Sequence, residues 1–353
     1  MITVKKGVVV LGATGLVGQR IVSMLQKHPW FELAGVAASE KSSGRKYGEA
    51  VSWHVETPLD SEAARMTLME CTARKIVSEC DADFVFSCLP GGLAKTAEQE
   101  FAREGLGVFS KASDNRMEPD VPLIVPEVNP EHTELIRIQR ERRGWSGFIT
   151  TDPNCSTTQL VLSLFPLKKY GLKRVVVSTM QALSGAGYPG VASLDAVGNV
   201  IPFIGGEEEK VEREPKKILG SLQNGAVKED PVVISASCNR VPVADGHMET
   251  VVVELEKRPS VEELKKTFDS FTAEPQKLRL PSAVRPIVVR NENDRPQPKR
   301  DLFEGNGMSV IIGRIRRDPV LGVKYTCLAH NLVRGAAGNG MLQAELFAAK
   351  KLV

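Results

Sequence analysis

One of the six cysteines in this 353-residue chain stands where a thiol can act. Asp152-Pro153-Asn154-Cys155-Ser156-Thr157-Thr158 leads into the apolar-periodic segment 159–167, which puts Cys155 at or beside a helix N-terminus. Exposed N–H groups there favour a thiolate, lowering a pKa that starts at about 8.5, and the same groups can hold an oxyanion. Cys71, Cys88, Cys238 and Cys327 lie in apolar or strand-like segments and read as small buried residues, while Cys80, after Glu79, reads as a surface thiol. Activated thiol chemistry also needs a proton acceptor near neutral pH, and five histidines are available. His28 and His132 read as surface residues near helix ends, His54 lies in a polar loop, and His330 ends a strand. His247 stands where the turn Arg240-Val241-Pro242-Val243-Ala244-Asp245-Gly246 enters a strand. Alone it is more often a structural histidine; its weight comes from Arg240 nearby and from Cys155.

A second chemical signal is Gly12-Ala13-Thr14-Gly15-Leu16-Val17-Gly18, set between an apolar strand and a segment with helical spacing. Glycines here permit a tight turn, let the backbone approach a diphosphate, and pack the helix on the sheet, and the free N–H groups of the helix N-terminus then meet the anion. An ordinary glycine-rich turn is the plainer alternative, but the position favours dinucleotide binding. An NAD-binding fold usually carries Asp or Glu about 20 residues past the first glycine. Here Val36-Ala37-Ala38 runs into Ser39, with Lys41, Arg45 and Lys46 beyond, and hydroxyl and cationic groups suit the 2′-phosphate of NADP. Glu40 dissents, and a solvated loop remains the bland reading of this cluster.

The elements that must position these groups fall into two kinds. The runs 7–11, 31–38, 84–88 and 107–110, with helical segments between them, predict a parallel, Rossmann-type sheet. From about residue 150, longer alternating strands at 174–181, 248–256, 308–316 and 323–330 predict a mixed or antiparallel sheet with helices on one side. The expected organisation is an α/β dinucleotide-binding unit at 1–152, completed by a C-terminal helix at 335–353, with an α+β catalytic and dimerisation unit at 153–334. The polar segment 291–298 reads as an exposed loop. Composition sets the outer limits. Lys plus Arg number 46 against 43 Asp plus Glu, for a net charge of +3, too balanced for a general nucleic-acid binder. No apolar run reaches the roughly 20 residues of a membrane helix, and no signal-peptide or CxxC pattern is present, so a cytoplasmic protein with reduced thiols and no metal site is expected.

Taken together, GATGLVG at the start, SKASDNRM at 110–117, DPNCSTT around Cys155, QALSGAGYPG at 181–190, EEEKVERE at 207–214, NRVPVADGH at 239–247 and NLVRGAAGN at 331–339 resemble the aspartate-semialdehyde dehydrogenases of the archaeal and fungal-like branch. The motifs span nearly the whole chain in the expected order. The resemblance implies NADPH-dependent reductive dephosphorylation of 4-aspartyl phosphate through a cysteine thioester, in biosynthesis of lysine, threonine and methionine. It implies Cys155 as nucleophile, His247 as acid/base group and Gln181 as the residue orienting the acyl intermediate. Arg240 would grip the substrate carboxylate, Glu207 the ammonium, and Lys210 and Arg116 the phosphate. Gly12, Thr14, Gly15, Leu16, Val17, Ser39, Ser184, Gly185 and Asn331 would meet the cofactor. Without the family, EEEKVERE reads as a solvated helix with i,i+4 charge pairs and SGAG as a simple tight loop. Ser110-Lys111 departs from the Ser-Asn usual before Arg116. A homodimer or homotetramer is implied. The rival reading is an archaeal malonyl-CoA or succinyl-CoA reductase, which shares several of these segments. A non-catalytic NADP-sensing protein is a further alternative, disfavoured by Cys155, His247 and Arg240 together.

Overall fold

The computed structural model describes residues 4–353; the first three residues of the expected N-terminal unit lie outside the described residues. Strands β1 (Lys6–Leu11), β2 (Phe31–Ala38), β3 (Met69–Glu70), β4 (Phe84–Ser87), β5 (Gly107–Ser110) and β6 (Phe148–Thr151) form one sheet in the order β3-β2-β1-β4-β5-β6. Every pairing in it is parallel. Val8, Val9, Val10 and Leu11 are all fully buried, as a central parallel strand covered on both faces requires. Strand order reverses between β1 and β4, and a crevice opens at their carboxyl ends. Gly12 turns there with φ +70, and a Cβ on it would sit 2.6 Å from the carbonyl oxygen of Cys88. Only glycine lets the turn pass β4 this closely.

The C-terminal helix Gly338–Ala349 joins this first sheet: Met341, Ala344 and Phe347 belong to the same core as Val8, Phe86 and Phe109. Its burial on all sides explains why it carries almost no polar face. Its ring Phe347 packs against Phe109 and Phe148 with centroids 5.2 Å apart in both cases.

The second sheet comprises β7 (Leu172–Gln181), β10 (Val233–Arg240), β11 (His247–Leu255), β12 (Ile287–Val289), β13 (Val310–Asp318) and β14 (Gly322–Ala329) in the order β10-β7-β11-β14-β13-β12; a separate hairpin pairs β8 (Ser221–Gln223) with β9 (Ala226–Lys228). It is mixed, with β10–β7 and β12–β13 parallel and the remaining pairs antiparallel. Alternation along β7 and β11 sends Val175, Val177, Val251 and Val253 inward against the helices Cys155–Leu164, Glu207–Ile218 and Val261–Asp269. Val176 and Val233 lie on the open face, 48% and 59% exposed.

Three expectations are corrected. His28 is buried, its ring stacked on Phe31 and its Nε2 2.8 Å from Glu345 of the C-terminal helix. His132 is also buried, with Nδ1 2.9 Å from Asn129. Both fill internal polar positions that the acids and prolines beside them disguise. The segment 291–298 is exposed only over its first four residues; Pro296 is buried, and Arg290 and Arg295 converge on the buried carboxylate of Asp301.

Arg334, fully buried just before the C-terminal helix, donates from Nη1 and Nη2 to the two oxygens of Glu127 at 2.8 and 2.7 Å. Breaking such a pair strands an uncompensated charge, so Arg334→Ala is expected to lower the unfolding free energy by about 3–5 kcal/mol in a denaturant titration. A loss below about 1 kcal/mol would show that the pair contributes no more than an exposed one.

Candidate active site

β6 ends at Thr151, and the chain turns through Asp152 and Pro153 into the helix Cys155–Leu164. Asn154 makes that turn rigid. Its Oδ1 caps the helix, accepting from the N–H of Ser156 at 2.9 Å and of Thr157 at 3.3 Å. Its Nδ2 donates to Glu207 at 2.8 Å, and its backbone N–H donates to Glu214 at 2.7 Å. Cys155 follows, half-buried in the wall of a cavity of about 720 Å³ between the two sheets.

Register brings the other groups to the same place. Arg240 ends β10 opposite Gln181, which ends β7, and Met248 of β11 lies opposite Met180. Arg240, Gln181 and His247 therefore end up at the same edge of three neighbouring strands. The backbone of Ala182 fixes two of them: its N–H donates to Nδ1 of His247 at 3.0 Å, and its carbonyl accepts from Nη1 of Arg240 at 2.6 Å. Asn331 joins the two loops above them, donating to Ser184 Oγ at 2.9 Å and accepting from the N–H of Gly246 at 2.8 Å.

Of the residues singled out from the sequence, Gly15, Leu16 and Val17 line the cavity from the first sheet. Cys155, Ser184, Gly185 and Asn331 line it from the opposite side, with Arg116, Glu207, Lys210 and Arg240 around them. His247 and Gln181 are buried behind the wall rather than in it, and Gln181 Nε2 donates to Thr179 Oγ1 at 3.3 Å. Gly185 is what lets His247 approach the cavity, since a Cβ on it would fall 3.0 Å from Nε2. Gly12 and Thr14 lie beneath the lining, and Ser39 lies outside it at the exposed end of β2. Arg45 and Lys46 are turned to local partners, the carbonyl of Glu49 and the hydroxyl of Thr67.

The helix Leu16–Leu25 begins at Gly15 with no side-chain cap, so its first N–H groups are left for an anion at the switch point. A Cβ on Gly18 would come within 2.3 Å of the carbonyl of Gly12, so the helix packs on the turn itself. This crevice fits a dinucleotide diphosphate.

The expected low thiol pKa is not found. Burial pushes the Cys155 thiol up to about 12, and the negative charge of Glu207 adds to it; the N–H of Ser156 and the cations Arg116 and Arg240 pull the other way without winning. The helix-start amide of Ser156, which also donates to the Asn154 cap, does not offset burial and the neighbouring Glu207. Burial, and then the charge of Arg240, push His247 down to about 3. Its ring is neutral, and because Nδ1 accepts from Ala182 the proton resides on Nε2. That Nε2 has no partner among the described residues.

Sequence reasoning missed Asn154 as a three-way anchor, and it missed Glu214 and Lys217 altogether. Lys217 is buried, with its ammonium donating to the carbonyls of Arg116, Glu118 and Val121 at 2.7, 2.7 and 2.8 Å. The spacing 207, 210, 214, 217 is that of one helix face and could have signalled it.

Two family models match the chain: semialdehyde dehydrogenase, NAD binding domain, over residues 7–136, and semialdehyde dehydrogenase, dimerisation domain, over 164–334. The chain is 52% identical to the aspartate-semialdehyde dehydrogenase of Archaeoglobus fulgidus, over 98% of each chain. The crystal structure of aspartate semialdehyde dehydrogenase with NADP from Candida albicans superposes with a TM-score of 0.90 at 40% identity, covering 99% of this chain and 100% of that one. A malonyl CoA reductase (NADP) from Metallosphaera sedula is 39% identical, over 97% of this chain and 96% of its own.

With the thiol held up by burial and Glu207, alkylation of Cys155 by iodoacetamide is expected to keep accelerating past pH 9. Glu207→Gln removes a neighbouring negative charge, lowers the thiol pKa, and is expected to raise the rate at pH 8 by up to about tenfold, the effect of one pKa unit. A plateau below pH 8 in the parent protein would contradict the assignment.

Proposed function

The chain belongs to the aspartate-semialdehyde dehydrogenase family, and from that premise we propose how its own residues carry the reaction. The activity is the reversible, NADPH-dependent reductive dephosphorylation of 4-aspartyl phosphate to aspartate 4-semialdehyde, in biosynthesis of the aspartate family of amino acids. Cys155 attacks the acyl carbonyl, the carbon–oxygen bond to phosphate breaks, and a thioester remains on the sulfur. Arg116 and Lys210 receive the departing phosphate. Arg240 holds the substrate carboxylate through its guanidinium edge, and Glu207 faces the ammonium. Bound in the crevice over Gly15, Leu16 and Val17, NADPH supplies the hydride that reduces the thioester. Gln181 orients the acyl group, and His247 is the acid/base group. With its proton on Nε2, His247 first serves the oxygen on which charge develops, and taking up the thiol proton requires its ring to release the N–H of Ala182. The high thiol pKa means that Cys155 does not rest as a thiolate: it gives up its proton to His247 as it attacks.

The observation that supports this reading most is the meeting of Arg116, Cys155, Glu207 and Arg240, from four separate segments, around one cavity. The same reading divides the chain into a cofactor unit, 1–152 with 335–353, and a catalytic unit, 153–334. The core shared by β1 and the C-terminal helix supports that division. It also places a homodimer or homotetramer contact on the open face of the second sheet, where Val176 and Val233 are exposed, and the protein in the cytoplasm. Among the described residues no helix is long and apolar enough to cross a membrane and no cluster of metal-ligating side chains is present.

A reductase of malonyl-CoA or succinyl-CoA is the second reading, and the relative from Metallosphaera sedula keeps it in view. Against it stands Glu207, a buried carboxylate fixed by Asn154 at the cavity wall, because a malonyl or succinyl thioester has no ammonium to meet it. NADP reduction with aspartate semialdehyde plus phosphate, measured beside NADPH oxidation with the two CoA thioesters, separates the readings: activity on the semialdehyde is expected, and activity on the thioesters alone would overturn the substrate. Glu207→Gln is expected to raise KM for the semialdehyde. Arg240→Lys, which loses the bidentate fork, is expected to lower kcat/KM further, by roughly 2–5 kcal/mol.

A further inference from the structure

The helix Glu207–Ile218 is tied down along two faces. On one, Glu208 and Glu212 accept from the N–H groups of Cys238 and Ala236, each at 3.0 Å, covering the edge of β10. On the other, Glu207, Lys210, Glu214 and Lys217 form a stripe facing the turn before Cys155 and the loop that carries Arg116. The two oxygens of Glu214 reach two separate segments of the site outside its own helix. Oε1 accepts from Arg116 Nη1 at 2.9 Å, and Oε2 accepts from the backbone N–H of Asn154, the residue before the nucleophile, at 2.7 Å. Both Glu214 and Arg116 are buried.

Arg116 itself is oriented but not saturated. Nη2 donates to the carbonyl of Lys111 at 2.9 Å, Nη1 is held by Glu214, and Nε is buried with no partner among the described residues. We propose that Glu214 is a positioning residue that couples the phosphate contact to the nucleophile, holding Arg116 at the cavity wall for a phosphate oxygen and holding the Asn154–Cys155 backbone in register with it. This rests on the assignment of Arg116 as a phosphate contact. Lys217, on the three carbonyls of the same loop, fixes the loop's backbone while Glu214 fixes its side chain.

The test uses the whole enzyme in the oxidative direction, with phosphate and aspartate semialdehyde varied separately. Glu214→Gln keeps the length of the side chain but presents one acceptor where two are needed. It is expected to raise KM for phosphate about tenfold, as loss of a charged hydrogen bond does, with KM for the semialdehyde changing less than about twofold. Added to Arg116→Ala, it is expected to cost less than about twofold more, because the guanidinium it positions is gone. Should Glu214→Gln not fold, Glu214→Asp, which keeps the charge but is one methylene too short to span both partners, is compared in the same way. If both KM values rise together, or the two substitutions multiply, the coupling is overturned and Glu214 is merely structural. An increase in phosphate KM in Arg116→Ala without one in Glu214→Gln also overturns the coupling, leaving the phosphate contact standing. An unchanged phosphate KM in Arg116→Ala overturns the contact itself.

Discussion

Asp152 is the carboxylate on which the geometry of the site depends. Buried just past the end of β6, it accepts from Asn339 Nδ2 at 2.5 Å and Gln343 Nε2 at 3.3 Å through Oδ1, and Lys111 donates to Oδ2. The residue that opens the turn into Cys155 is thus bonded to the end of β5 and to two positions of the C-terminal helix. A buried ion pair becomes tolerable when further hydrogen bonds satisfy its remaining lone pairs, and the two amides do this for Asp152. The Lys111 that departs from the usual Ser-Asn pattern is one half of that pair, so the departure serves the junction. Cys155 stands three residues on, where the first sheet hands the chain to the second.

Burial then decides the chemistry that this junction presents. It raises the thiol and lowers the imidazole, so that neither Cys155 nor His247 is charged at neutral pH. The permanent charges around them are Arg116, Arg240 and Lys210 against Glu207 and Glu214, arranged in alternating contacts. Arg116 meets Glu214 at 2.9 Å, and Lys210 meets Glu207 at 3.5 Å. Each cation that would receive an anionic group of the substrate, save Arg240, already has a carboxylate beside it.

Much of this could be read from the sequence because it was local. The glycine turn, the helix start at Cys155 and the strand 174–181 depend on neighbours within a few residues, and the alternation in β11 marks both His247 and the core. What could not be read is carried by distant partners. The thiol pKa depends on burial and on Glu207, and Glu214 is placed by Arg116 and Asn154, 98 and 60 residues away in the chain. Glu208, Glu212 and Lys217 look like the charged face of a solvated helix until β10 and the loop at 116–121 are packed against them. β10 itself, VISASCNR, alternates small and polar residues and gives a weak strand signal, although Arg240 at its end is central to the site.

The central claim is that Cys155, held at this junction, carries the acyl group. Incubating the protein with aspartate semialdehyde and NADP in the absence of phosphate should stop the reaction at the thioester, and intact-mass followed by peptide-level mass spectrometry should find one aspartyl adduct, on Cys155, that disappears when phosphate is added. An adduct on another cysteine, or continued NADP reduction in Cys155→Ala, would contradict it.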